Sequence, residues 1–76
     1  MRNDKINIQT EIKRAELYRD REILVHITKR GGTFYNGIIT EVTDEYFFIN
    51  DKVTGNQLVF FTELLFSIEE YKGGSR

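Results

Sequence analysis

Apolar and polar positions alternate from Ile23 to Thr28, with Ile23, Val25 and Ile27 on one face and Leu24, His26 and Thr28 on the other. A two-residue period of this kind predicts a half-buried strand. Arg30-Gly31-Gly32 follows, and paired glycines reach positive φ without steric cost, as a tight hairpin turn requires. A second strand is expected from Thr33 to Val42. Gly37 lies in its interior, where glycine weakens pairing and marks a sharp bend or a close backbone approach. Thr43-Asp44-Glu45 turns the chain into a third, aromatic strand from Tyr46 to Asn50. Asp51 to Asn56 reads as a polar hairpin loop, Gln57 to Phe61 as a fourth strand, and Leu65 to Tyr71 as a fifth. Thr62-Glu63-Leu64 between the last two is a short turn or a single 3₁₀ turn.

Upstream the period changes. Ile8, Ile12 and Ala15 recur at helical spacing, with Tyr18 near the same side, so a helix is expected over about 4–19, capped by Asn3 or Asp4. Ile6, Lys13 and Leu17 fall on another side. The helix either covers one end of the strands or offers a basic surface to a partner. Residues 72–76 carry no apolar anchor and read as a flexible tail. The expectation is one domain over 1–76: a mostly β, five-stranded SH3-like barrel at about 22–71 with an N-terminal α-helix.

Composition narrows the function. Seventy-six residues without cysteine build only a thin core, and oligomerisation is the remaining way to reinforce it. One histidine and no cysteine exclude a structural zinc site. A calcium loop at Asp51–Asn56 lacks the required acidic spacing, so neither metal nor cofactor is expected. No apolar run approaches a membrane span, and the N-terminal residues hold no apolar leader; the expected location is cytoplasmic. The net charge of −1 argues against a non-specific, strongly basic nucleic-acid binder. The charge is uneven, however: residues 1–30 hold eight basic against five acidic side chains, and the remainder three against seven.

Catalysis is poorly supplied. His26 sits mid-strand without an evident Ser or Cys partner, and neighbours such as Glu69 and Glu70 point to opposite faces of a strand. Gly31-Gly32 lies between strands, not ahead of a helix, so no phosphate loop is formed. No enzyme is expected. The aromatic residues are the unusual feature. In Tyr46-Phe47-Phe48 and in Phe60-Phe61 at least one ring must leave the intrachain core, to pack on a neighbouring subunit or to stack on unpaired bases.

An N-terminal helix and five strands with a long second strand bent at its glycine, Gly37, resemble the Sm-like (LSm- and Hfq-like) family over residues 4 to 71. The resemblance is carried by Val25-x-Ile27-x-Lys29-x-Gly31-Gly32, by Gly37-Ile38-Ile39-x-x-Val42-x-Asp44, by Phe48-Ile49-x-Asp51, and by Leu65-Phe66-Ser67-Ile68. It implies a closed ring of several copies, joined by pairing the fourth strand of one with the fifth of the next. It also implies single-stranded RNA bound near the turns after strands two and four, at Asp44 and at Thr62. Lys29 and Arg30 would then meet phosphates, while Tyr46, Phe47 and Phe61 stack bases. The family's Asp and later Asn fall at Thr43 and Phe47, or at Asp44 and Phe48, and neither register supplies the Asn. Its Arg-Gly, or Lys-His, pair falls near Phe61-Thr62-Glu63, which holds no basic residue. The expected function is RNA binding by a homo-oligomeric ring; the alternative is a ring-forming or monomeric protein-interaction module without RNA.

Overall fold

The structure, a computed structural model, describes residues 6–72. Helix α1 spans Ile8–Arg21. It begins at Ile8 because the Asn7 side chain accepts from the Thr10 amide at 3.1 Å, closing the first turn. Residues 6 and 7 are not helical, and the proposed caps Asn3 and Asp4 lie outside the described residues. The helix runs two residues further than its apolar period suggests. It ends where Glu22 turns left-handed, with the Glu22 and Ile23 amides bonded back to Arg19 and Tyr18. Ala15 is fully buried, and Ile8, Ile12 and Tyr18 pack beside it.

Five antiparallel strands follow: β1 (Leu24–Thr28), β2 (Phe34–Val42), β3 (Tyr46–Asp51), β4 (Gly55–Phe60) and β5 (Glu69–Glu70). Their spatial order is β4-β3-β2-β1-β5. Val59 from β4 and Ile68 beside β5 join one core with Val25, Ile27, Ile39, Phe47, Ile49, Phe61 and Leu64. Residues from both ends of the sheet therefore meet, and the sheet curves around them as a small barrel.

Gly37 stands between Val25 of β1 and Asp51 of β3. A Cβ there would lie 1.9 Å from the Asn50 carbonyl oxygen and 2.6 Å from its carbon. The glycine therefore serves close backbone approach. The irregularity of β2 comes further along, where the register with β3 shifts between Ile39 and Glu41. At the β1–β2 turn Gly31 and Gly32 adopt φ of 96° and 97° in open space.

The fifth strand is shorter than the sequence suggests. Leu65 and Tyr71 do bond to β1, at Thr28 O and Leu24 O, but only Glu69 and Glu70 form a regular ladder. The Ile68 amide instead donates to the Glu11 carboxylate of α1 at 2.9 Å, which draws the middle of the segment off the ladder.

Because the Gly37 clash is with backbone, no rotamer change relieves it. Gly37→Ala should destabilise the fold by about 3 kcal/mol, read as a lower urea midpoint at unchanged slope.

Candidate nucleic-acid interface

A single 3₁₀ turn, η1 (Phe61–Glu63), gathers the loops at one end of the barrel. The Phe61 amide donates to Glu45 O at 3.0 Å, tying in the β2–β3 turn. The Arg30 amide donates to Glu63 O at 2.7 Å, and Arg30 Nε to Thr62 O at 3.3 Å, tying in the β1–β2 turn. Thr43 shapes the first of these turns, since its hydroxyl accepts from the Glu45 and Tyr46 amides at 3.1 and 3.0 Å. Asp44 and Glu45 are thereby left exposed at the tip.

Two adjoining cavities flank η1. One, of about 250 Å³, is lined by Ile6, Ile8, Arg30, Phe61, Thr62 and Leu64. The other, of about 310 Å³, is lined by Ile8, Asp44, Glu45, Phe60, Phe61 and Thr62. They share Ile8, Phe61 and Thr62, and so form one groove between the start of α1 and the loop end of the sheet. Arg30, Asp44, Phe61 and Thr62 meet there, as four of the residues singled out in the sequence.

Lys29, Tyr46 and Phe47 lie elsewhere. The Lys29 ammonium is 3.8 Å from Glu63 Oε1 and 5.7 Å from the centre of the Tyr35 ring. Tyr46 lies on the outer face of the sheet, edge-on to Phe48 and Phe60 at centroid distances of 5.8 and 5.7 Å. Phe47 and Phe61 are 0% and 1% exposed and pack against each other at 5.1 Å. Base stacking by these two rings is corrected by their burial: a ring enclosed on both faces has no surface for a base.

The rings that turn away from the core are Phe48 and Phe60, not the expected stacking residues Phe47 and Phe61, and the sequence holds a signal for Phe48. Asn50 shares its strand face with Phe48 and Tyr46, and a polar residue at that position marks the face as outward. Ile8 lines the groove through a helix–loop contact that no local period reveals.

Two polar sites on the sheet are structural. Asn36 Oδ1 accepts from His26 Nδ1, which leaves Nε2 to accept from Thr28 Oγ1 at 3.4 Å. The imidazole also packs on Phe34 and Tyr71. Asp51 is buried and accepts from the Asn36, Val53 and Thr54 amides at 2.8–2.9 Å and from the Thr54 hydroxyl at 3.0 Å. The Thr54 amide is the largest cause holding its carboxyl at about 2, against a smaller opposing effect of burial. Among the described residues no three His, Asp or Glu side chains converge as a metal site, and no helix is long and apolar enough to cross a membrane.

An N-terminal helix followed by antiparallel strands in the order β4-β3-β2-β1-β5 is the Sm-like fold. No family model matches the chain, and no curated protein matches its sequence. Among solved structures it is similar to a crystal structure of the pleiotropic translational regulator Hfq, at a TM-score of 0.67 and 19% sequence identity. The match covers 83% of this chain and 98% of that one.

Phe47→Ala should cost about 3–5 kcal/mol of unfolding free energy, whereas Phe48→Ala should cost the single chain about 1 kcal/mol. Asp51 has a folded pKa below its unfolded one, so its contribution is full above pH 3.8 and lost as pH falls towards about 2. Asp51→Asn should remove that segment of the stability–pH profile in denaturant titrations.

Proposed function

We propose that this chain assembles into a homo-oligomeric ring and binds single-stranded RNA by backbone contact and stacking, without catalysis. The observation that carries the assembly is the pair of bare sheet edges. β4 presents Leu58 and, at 42% exposure, Phe60; the approach to β5 presents Leu65 and, at 58%, Phe66. Unpaired strand edges flanked by apolar side chains demand cover. Pairing β4 of one copy with β5 of the next supplies it, and such head-to-tail contacts form a ring when the rotation closes.

The groove beside η1 supports the RNA reading. Arg30 is exposed there and reaches phosphates, with Lys29 behind it on the same turn. Asp44 and Thr62 offer hydrogen-bonding groups to base edges. Stacking falls to Phe60, which lines the groove, and to Tyr46 beside it. That Hfq, a translational regulator, has the same fold supports an RNA ligand. The proposed location is cytoplasmic.

A second reading, a ring or monomer that binds protein and not RNA, is favoured by the charge around the groove. Lys29 and Arg30 already interact with η1, and Asp44, Glu45 and Glu63 crowd the same end.

Native mass spectrometry with short oligo-U and oligo-A tests these readings. A ring that gains one RNA mass is expected. A ring that gains none leaves the protein-binding reading, and a monomer overturns assembly. In the first case Arg30→Ala should lower the slope of log affinity against log salt by about 0.7 for each phosphate contact removed.

A further inference from the structure

Glu11 is a charged side chain in the first turn of α1, yet it is only 2% exposed. Its two carboxylate oxygens serve the far end of the chain. Oε2 accepts from Ser67 Oγ at 2.7 Å, and Oε1 accepts from the Ile68 amide at 2.9 Å. Arg14 Nε, one helical turn along, lies 3.6 Å from Oε1 and balances the charge. A buried carboxylate is tolerated only when such donors surround it.

The location of this contact matters more than its strength. β5 has two ladder pairs with β1, Val25 with Glu70 and His26 with Glu69, whereas β2 and β3 share five and β3 and β4 six. The ladder and the Leu65 amide's bond to Thr28 O hold the two ends of residues 65–68, and neither fixes the stretch between them. Glu11 supplies the missing anchor by tying that segment to a helix already packed on the core through Ala15. The side chain of Ile68 is then seated in the core, while Phe66 and Leu65 stay outside.

From this geometry we infer that Glu11 is a positioning residue for self-assembly: it holds the segment leading into β5 in the register at which its free edge receives β4 of a second copy. The inference rests on the ring reading above. Glu11 itself is enclosed within its own chain. It acts by sparing the second copy the task of ordering a loose edge, so that association does not have to overcome that loss of entropy.

The test combines amide hydrogen exchange with native mass spectrometry on the whole chain. Glu11→Ala should leave protection in β1 to β4 intact while the Ile68 amide exchanges about tenfold faster or more, as loss of a charge-assisted hydrogen bond predicts. Its ring should dissociate at higher protein concentration than the wild-type ring. Ser67→Ala removes one donor at an exposed position and should shift the same amides less. It also decides the matter if Glu11→Ala does not fold.

Unchanged Ile68 exchange in the folded variants overturns the anchor. Faster exchange with an undiminished ring overturns the positioning role. A wild-type chain that is monomeric overturns the ring reading, and the assembly role with it. That result is read before any variant is made, so the two failures are distinguishable.

Discussion

The contact between Gly37 and the Asn50 carbonyl governs the sheet. It seats the centre of β2 against β1 and β3 at a separation that any side chain would prevent. With Gly37 facing inward, Ile39 does also, and the paired strands take their parity from there: Val25 and Ile27 on one side, Ile49 and Phe47 on the other. Asn36 is then set beside both His26 and Asp51: its side-chain oxygen accepts from His26, while its backbone amide donates to Asp51 and its carbonyl accepts from the Lys52 amide. A one-residue slip would turn Phe47 and Ile49 to solvent, so sterics and burial select the same register.

The loop end of the barrel obeys a different constraint. η1 is three residues long, too short to have stability of its own, and is fixed by bonds to two hairpin turns. The groove is accordingly formed by backbone bonds among loops, with Phe61 rooted in the core below it. Charges there are mixed, so this end of the barrel builds no strong long-range field of one sign.

The strands were legible because their faces differ. Two-residue alternation located β1, turn residues and β-rich composition located β2 to β4 to within a residue or two, and Gly31-Gly32 marked the first hairpin. Runs without alternation were less readable. Tyr46-Phe47-Phe48 is apolar on both faces, so which ring enters the core rests on Ile49 and Asn50 and not on the rings themselves. The length of β5 was not legible at all. It is decided by Glu11, 57 positions from Ile68, and no period or propensity encodes a hydrogen bond at that separation. Likewise, the helix starts at Asn7 because its oxygen meets the Thr10 amide, a choice among several plausible caps nearby. The groove was partly legible: Arg30, Asp44 and Thr62 fall at turns, whereas Ile8 enters through packing.

The strand order also bears on how the chain folds. β1 to β4 form a meander in which each strand pairs with its sequence neighbour through a short turn, so these contacts close small loops and form readily. Joining Val25 to Glu70 closes a far longer loop, as does joining Glu11 to Ile68. Contacts of such separation slow the search for the native state. On the ribosome the meander can be complete while β1 still has a bare side, and that side is covered only after Glu70 has emerged. The nascent chain therefore passes through a stage in which β1, and not β5, is the open edge opposite β4.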